Sequence, residues 1–385
     1  MKLALAVLIA CLPAVGFALI QESGPLALRA DRALAAMAEG NWANAMAAHD
    51  QLIAEINQDA SNDRLEPEIG VLYFRRGLCE MKLKMWKNAM HSFGICYRYF
   101  PNPEPYQGIG GNVFHKHALL KWAEAAMADQ QWRTALDLFE KFRLERDKER
   151  DRFPQGLFYL NRAVCFYQLG ELPAGNENFE IALQNRDAFQ TPREGIWAAM
   201  QVLAQAVIKS NEPQAMIDWV RKNQSLLRPQ AELAFDDSHA LLEIARILLE
   251  AKQYTAAGVV YQLIPSSDDV LDQLQKNAGA SNRHPQHSRW LENQASESSI
   301  DWLKMASLAV IQEQQGLLES ALDMHAAMAE RFSLPSQRQA SLFHAARLSA
   351  RLGMSGKATY FAECLRRDFP DDLRLDELER MLKSL

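Results

Sequence analysis

A pattern of two amphipathic helices joined by a short turn occurs in residues 69–101 and recurs along most of the chain. In the first helix of this stretch, Tyr73 and Gly77 lie one turn apart on one face, and Ala89 and Phe93 do the same in the second helix. The small side chains of Gly77 and Ala89 allow the helices to approach closely, and the ring of Phe93 fills the space beside them. A proline ends the second helix. The stretch is therefore predicted to form an antiparallel helical hairpin.

The same spacing is found eight times: a residue of the first helix is followed, twelve positions later, by a small residue of the second helix. The eight pairs are Ala33/Ala45, Gly77/Ala89, Ala123/Ala135, Ala163/Gly175, Leu203/Ala215, Ala245/Ala257, Ala309/Ala321 and Ala346/Ala358. Leu203 is the one member of these pairs that is not a small residue. Four residues after each second member come His49, Phe93, Phe139, Phe179, Trp219, Tyr261, His325 and Ala362, of which five are aromatic in the strict sense. The pattern predicts about eight stacked hairpins.

This pattern resembles the tetratricopeptide repeat (TPR) family, whose repeat carries an aromatic residue, then Leu-Gly, Tyr, Ala-x3-Phe and a late Pro. The matching residues in the second hairpin are Tyr73, Gly77, Ala89, Phe93 and Pro101. Arg76 stands where the family prefers Leu, and Glu80 stands where it prefers Tyr. The resemblance implies an all-α fold, a right-handed superhelical solenoid of TPR-like hairpins. It also implies binding of a protein or peptide partner.

The distances between successive packing residues predict the domain organisation. They range from 37 to 64 residues, against about 34 in the family, so longer helices are expected. Repeats one to six are predicted at 26–265 and repeats seven and eight at 300–370. The distance of 64 indicates a polar insertion at 266–299, and residues 371–385 have the one-sided apolar pattern of a C-terminal capping helix.

The first twenty residues contain one lysine and a long apolar run, which is typical of an export signal. Cleavage after Ala18 would remove a signal peptide, residues 1–18, and leave a periplasmic or secreted protein. Two alternatives stay open. Cys11 ends a short sequence similar to a bacterial lipobox, which would give a lipid-anchored envelope protein, and an uncleaved segment would act as a membrane anchor. Membrane association is expected only in those two cases.

Several functional classes are disfavoured by the sequence. A net charge of −6 without a basic, aromatic-rich stripe argues against nucleic-acid binding. No motif for nucleophilic, metal-dependent or phosphate-binding chemistry is found, so no catalytic residue, cofactor or metal is expected. His284 and His287 lack further ligands nearby, and Cys79 and Cys165 recur at equivalent first-helix positions as buried apolar residues. A non-enzymatic scaffold is predicted.

The family resemblance places partner contacts on first-helix residues that line the inner, concave face. By the twelve-residue register these are Phe74, Leu78 and Met81, then Leu120 and Met127, then Leu160, Val164 and Tyr167, then Met200 and Val207. All are apolar, which indicates an apolar helix or peptide as the partner. The alternative is that these side chains are buried against the chain itself.

Two functional hypotheses follow. In the first, the chain is an envelope adaptor that binds through this concave face. In the second, it is an accessory or ligand-binding subunit of a secreted enzyme or envelope assembly complex, with the insertion at 266–299 as its specific element.

Overall fold

The structure is a computed structural model that describes residues 25–58, 67–101, 114–145, 153–229, 234–265 and 294–383. Within these ranges the regular secondary structure consists of helices, and no strand is present. The chain divides into two compact units, residues 1–206 and 207–385. The predicted all-α repeat fold is confirmed.

Unit 1 contains four helical hairpins, in each of which two successive helices pack against one another. Their helices are α1 (Pro25–Ala38) and α2 (Trp42–Gln58), α3 (Pro67–Lys82) and α4 (Trp86–Tyr99), α5 (His115–Ala128) and α6 (Trp132–Glu145), and α7 (Gln155–Gln168) and α8 (Leu172–Gln184). Successive hairpins also pack on each other, through α2 with α3, α4 with α5, and α6 with α7. Helix α9 (Arg193–Ser210) extends across the division between the units.

Unit 2 continues the hairpin pattern and ends with a short helix. Its helices are α10 (Pro213–Lys222), α11 (Gln224–Leu227), α12 (Ala234–Glu250), α13 (Tyr254–Tyr261), α14 (Gln294–Gln314), α15 (Leu318–Arg331), α16 (Pro335–Arg351), α17 (Ser355–Asp368) and α18 (Leu375–Lys383). Helix α18 packs on both α16 and α17, and Leu378 on its inner side is buried in the core of the last hairpin. A terminal helix with an exposed polar face is therefore present where the capping helix is predicted.

Every hairpin closes through the same turn, in which one residue adopts a left-handed backbone conformation. Four of these residues are glycines and four are not; they are Gly40, Lys84, Gln130, Gly170, Asn211, Lys252, Gly316 and Gly353. In the second hairpin the amide of Lys84 donates to the carbonyl of Met81, and the next amide, that of Met85, donates to Glu80. This arrangement satisfies the last carbonyl groups of the first helix and reverses the chain.

The turn also corrects the register of the fifth hairpin. In the other seven hairpins the left-handed residue lies five positions before the predicted packing residue, but Asn211 lies four positions before Ala215. The buried position is instead Met216, which is fully buried, whereas Ala215 is partly exposed. Moving the register by one gives Ala204 and Met216 as the pair twelve residues apart, so the first member is small and the second is not.

The small packing residues perform the role that the sequence predicts. A Cβ atom added to Gly77 would lie 2.6 Å from the ring of Phe93, closer than real Cβ contacts allow. Ala89 and Phe93 are fully buried, and the ring of Phe74 packs against Phe93 with 5.6 Å between centroids. The second hairpin is thus held by a ring that occupies the space left by a missing side chain.

The wide spacing of the repeats results from both long helices and long connections between hairpins. Helix α14 has 21 residues and α2 has 17, but α4 and α6 have 14 each and α8 has 13. Elongated helices therefore explain only part of the wide spacing, and connections between hairpins explain the rest. The signal segment 1–18 and residues 266–293 of the insertion lie outside the described residues, while residues 294–299 belong to α14.

All four cysteines in the described part of the chain are buried and outside any disulfide, as the sequence predicts. Burial raises the pKa of the Cys79 thiol to about 12 and also raises the pKa of Cys165. These side chains therefore act as small apolar core residues.

Candidate functional site

The structure buries most of the side chains that the family resemblance places on a concave binding face. Phe74, Met81, Leu120, Met127, Leu160, Val164, Tyr167, Met200 and Val207 are each at most 4% exposed, and Leu78 is half-buried. Of the two interpretations left open by the sequence, the core interpretation fits these residues. These side chains fill the space between packed helices, and their contact with a partner stays an untested prediction.

Polar groups join the first hairpin to the second. Nε of Arg76 on α3 lies 3.0 Å from a carboxylate oxygen of Asp50 on α2 and 3.2 Å from Glu80. Glu80 is buried, and the hydroxyl of Ser92 donates to it at 2.6 Å. Burial raises the pKa of Glu80 against the opposing effects of Ser92 and Arg76. The two departures from the family pattern, Arg76 and Glu80, are thus partners in one polar contact.

The third and fourth hairpins are joined in the same way at equivalent positions. Arg162 on α7 donates to Glu140 on α6 at 2.9 Å and to Asn178 on α8 at 3.0 Å. Hydrogen bonds from Arg143 and Arg162 lower the pKa of Glu140 to about 2. In both interfaces, an arginine that precedes the small residue of a first helix meets an acid from the preceding hairpin.

The interface between the second and third hairpins lacks this pair. The position equivalent to Asp50 and Glu140 is occupied by Gly94 on α4, and the position equivalent to the two arginines is occupied by Trp122 on α5. A Cβ atom on Gly94 would lie 3.3 Å from the indole of Trp122, so the ring covers the space where a side chain is missing. The ion pair is therefore replaced by a buried glycine covered by an aromatic ring.

A groove of about 330 Å³ opens at this interface, and we call it the Gly94 groove. Its walls come from the outer face of α4, from Trp122 on α5, and from the start of α6. The side chains that line it include Met90, His91, Ile95, Arg98, Tyr99 and Trp122. Tyr99 is 60% exposed at the rim, and the guanidinium carbon of Arg98 lies 4.9 Å from the centroid of the Trp122 ring. The groove thus combines an aromatic floor, flexible apolar side chains and a cation.

A cluster on the same two hairpins holds α4 against α6. The phenol of Tyr97 donates to Glu145 at 2.8 Å, and the ring of His115 stacks on Tyr97 at 4.7 Å between centroids. Nζ of Lys141 lies 4.5 Å from the centroid of the Tyr97 ring. Burial, reinforced by the bond to Glu145, raises the pKa of Tyr97, and burial lowers the pKa of His115. The cluster fixes the C-terminal half of α4, which carries the groove wall.

Two histidines occupy the ring position of their hairpins. His49 on α2 is fully buried, and neither of its ring nitrogens has a hydrogen-bond partner among the described residues. Burial, with Arg75 nearby, lowers its pKa to about 4. His325 on α15 is buried and stacks on His344 of α16 at 4.9 Å; burial and the charges nearby lower its pKa to about 3. Both are neutral packing rings at pH 7.

The described ranges contain neither a metal-binding cluster nor a membrane-spanning helix. No group of three or more His, Cys, Asp or Glu side chains there is arranged to hold a metal ion. No helix in those ranges is both long and apolar enough to span a bilayer.

The sequence analysis did not identify the Gly94 groove, although a signal was present. Reading the position five residues after each packing residue gives Asp50, Gly94 and Glu140 in the first three hairpins. The facing first helices carry Arg76, Trp122 and Arg162. The change from an acid–arginine pair to a glycine–tryptophan pair stands out only when both positions are compared together.

The hairpins, their shared turn and the terminal helix define an all-helical repeat protein, and solved structures with TPR or TPR-like repeats are similar to it. No protein-family model matches the sequence, and no curated protein matches it significantly. Similar structures include kinesin light chain TPR-like repeats from Podospora anserina, with 15% identity over 52% of this chain and 93% of that chain and a TM-score of 0.37. A TPR repeat-containing protein from Cytophaga hutchinsonii shares 12% identity over 91% and 98%, with a TM-score of 0.35. The quorum sensor NprR from B. thuringiensis shares 13% over 92% and 96%, with a TM-score of 0.31.

Proposed function

We propose that the chain is a non-enzymatic scaffold that holds a protein or peptide partner, and that the partner is anchored in the Gly94 groove. The observation that carries this proposal is the Gly94 groove itself, which lies at an interface whose neighbours on both sides are closed by acid–arginine pairs. At this interface Trp122 covers Gly94, and the surface beside the ring is an open groove in which a partner's side chain can pack.

The composition of the groove suits protein recognition. Tryptophan, tyrosine and arginine are the residues most enriched at energetically dominant interface positions, and Trp122, Tyr99 and Arg98 all line this groove. Met90 adds a flexible side chain that can adapt to a partner's shape. A volume of about 330 Å³ accommodates one or two side chains, so it serves as an anchor point within a larger contact.

The non-enzymatic part of the proposal is supported by the positions of the strongly perturbed ionisable groups. His49, Glu124 and His325 are buried within helix packing, and none of them lines the Gly94 groove. Burial raises the pKa of Glu124, whose carboxylate accepts a hydrogen bond from Lys121 at 2.8 Å on the same helix. The groove itself contains no pair of groups arranged as an acid and a base.

We further propose that the scaffold works outside the cytoplasm, in the cell envelope or as a secreted protein. This rests on the apolar N-terminal segment and the small residues before the predicted cleavage point at Ala18. Mass spectrometry of the mature protein should find an unmodified N-terminus near Leu19. A diacylglyceryl group on Cys11 would replace this proposal by a lipid anchor.

Site-specific photo-cross-linking tests the scaffold. A photoreactive phenylalanine analogue is placed at Tyr99 or, as a matched control, at Tyr360 of α17, because both side chains are 60% exposed. In the cells that produce the protein, we expect one defined adduct from position 99 and none of the same mass from position 360. Introducing Gly94→Val in the position 99 variant should abolish the adduct.

Equal labelling at both positions, or an adduct insensitive to Gly94→Val in a folded protein, would remove the groove from the proposal. The same cross-link in a chain lacking 266–293, the part of the insertion before α14, addresses the accessory-subunit hypothesis, because loss of the adduct on deletion would favour the insertion as the specific element.

A further inference from the structure

We propose that the occupant of the Gly94 groove is an acidic peptide segment, in which one apolar side chain packs on the Trp122 ring and a nearby carboxylate pairs with Arg98. This inference deepens the proposed function and rests on it.

The groove beside Trp122 fits an apolar side chain. Gly94 is buried under the indole of Trp122, and Met90 and Ile95, one turn before Gly94 and one residue after it on α4, are both half-buried. An aliphatic or aromatic side chain in the groove would exclude water from the side chains of Trp122, Met90 and Ile95 at once.

The one permanent charge that lines the groove is positive. It is the guanidinium of Arg98, and the lining contains no aspartate or glutamate. This differs from the chain as a whole, whose net charge is −6. Asp129, in the turn between α5 and α6, does not line the groove and accepts a hydrogen bond from the side-chain amide of Gln131 at 2.8 Å. A partner with carboxylates therefore complements this surface.

Arg98 is poised to bind a carboxylate. No Asp or Glu within the described part of the chain lies at ion-pair distance from it, and its guanidinium instead stacks over Trp122. A stacked guanidinium keeps the N–H donors of its edge free, and these donors match both oxygens of a carboxylate. The same Trp122 ring thus contacts the apolar anchor and orients the cation, which places the two recognised groups within a few residues of each other on the peptide.

A selection with peptides tests this inference on the purified full-length protein. A phage-displayed library of random twelve-residue peptides is selected on the wild-type protein and counter-selected on Gly94→Val. We expect the enriched peptides to share one large apolar residue with Asp or Glu within three positions. Enriched peptides that are neutral or basic, or peptides that bind both proteins equally, would overturn the inference.

A charge exchange provides the sharper test. With one selected peptide, Arg98→Glu should weaken binding at least tenfold, and replacing the peptide's acidic residue by Lys should restore most of the loss on that variant. Lys87→Glu is the matched control, because Lys87 is exposed on the same helix and does not line the groove. Equal losses for Arg98→Glu and Lys87→Glu would show a general charge effect and reject the pairing.

The two proposals can fail separately. An adduct at Tyr99 together with non-acidic selected peptides keeps the scaffold and rejects the acidic occupant. Absence of both the adduct and enrichment rejects the groove altogether. Thermal unfolding of Gly94→Val and Arg98→Glu shows whether a loss of binding comes from a destabilised fold. If Gly94→Val unfolds, Arg98→Glu still tests the inference, because Arg98 is exposed.

Discussion

The phenol of Tyr97 on α4 donates a hydrogen bond to the carboxylate of Glu145 on α6, 48 residues further along the chain, at 2.8 Å. Removing the hydroxyl in Tyr97→Phe should lower the free energy of unfolding of the chain by about 1 to 2 kcal/mol, since the lost bond has a charged acceptor. Chemical denaturation measures the change. Tyr99→Phe is the matched control on the same helix, because Tyr99 is exposed, and it should leave the midpoint unchanged; equal effects would mean that the bond is not a determinant of stability.

Gly77→Ala should destabilise the second hairpin although alanine is the better helix former. The added Cβ would lie 2.6 Å from the Phe93 ring, and the overpacking should cost about 1 to 3 kcal/mol. Gly356 on α17 is the matched glycine, because nothing lies within 4 Å of its added Cβ. Gly356→Ala should therefore stabilise by about 0.5 to 1 kcal/mol. Thermal unfolding that shifts in the same direction for both variants would contradict the packing described for Gly77.

The variant Phe74→Ala tests whether Phe74 is a core residue or part of a binding surface. The ring of Phe74 is buried and stacks on Phe114 with 4.4 Å between centroids, so its loss should cost about 3 to 5 kcal/mol of unfolding free energy. Affinity per folded molecule for a selected peptide should be unchanged. If unfolding is unaffected and binding is lost, Phe74 lies on the concave binding face that the family resemblance implies.

Stability should fall in acid because of His49. Its pKa is about 4 in the folded chain and 6.5 as the reference value, so protonation favours the unfolded chain. Above pH 6.5 both states are neutral at this site. As pH falls from 6.5 to 4, the folded state loses roughly 2 to 3 kcal/mol from this group.

His49→Phe, which supplies the ring used by the second hairpin, should flatten this part of the pH profile. The measurement is the difference in unfolding free energy between variant and wild type at pH 7 and pH 4.5. Parallel profiles for the two proteins would show that His49 titrates normally.

Gln130→Gly should stabilise the third hairpin. Gln130 has a φ of 62° in the turn between α5 and α6, a conformation that costs a non-glycine residue about 1 kcal/mol. The reverse change, Gly170→Ala at the equivalent turn position with φ 80°, should destabilise by a similar amount. Denaturation midpoints that move together for the two variants would contradict a shared turn.

The hairpin register was predictable because it depends on size at a few positions. The small side chains of Gly77 and Ala89 indicate that two helices approach closely, and Phe93 supplies the ring that packs beside them. Neither indication depends on the other residues of the hairpin. The register failed in the fifth hairpin, where Ala215 and Met216 are adjacent and either could be read as the packing residue; the left-handed turn at Asn211 decides between them.

The binding face could not be predicted in the same way. Phe74 and Tyr167 are apolar first-helix residues in the sequence, and an apolar residue satisfies both a groove and a core. Only packing shows which applies. Gly94 and Trp122, in contrast, can be recognised in the sequence only by comparison with the neighbouring hairpins, where ion pairs occupy the equivalent positions.

The shared turn has a consequence for how such a chain can change over evolutionary time. Each hairpin closes on itself through a turn whose geometry fixes the offset between its two helices, so an insertion inside a hairpin would displace packing residues such as Ala89 from their partners. Insertions between hairpins move no such contact. Length variants of this protein in other species are therefore expected to differ at the links between hairpins or by whole hairpins, and sequence alignment of such variants should show turns of constant length.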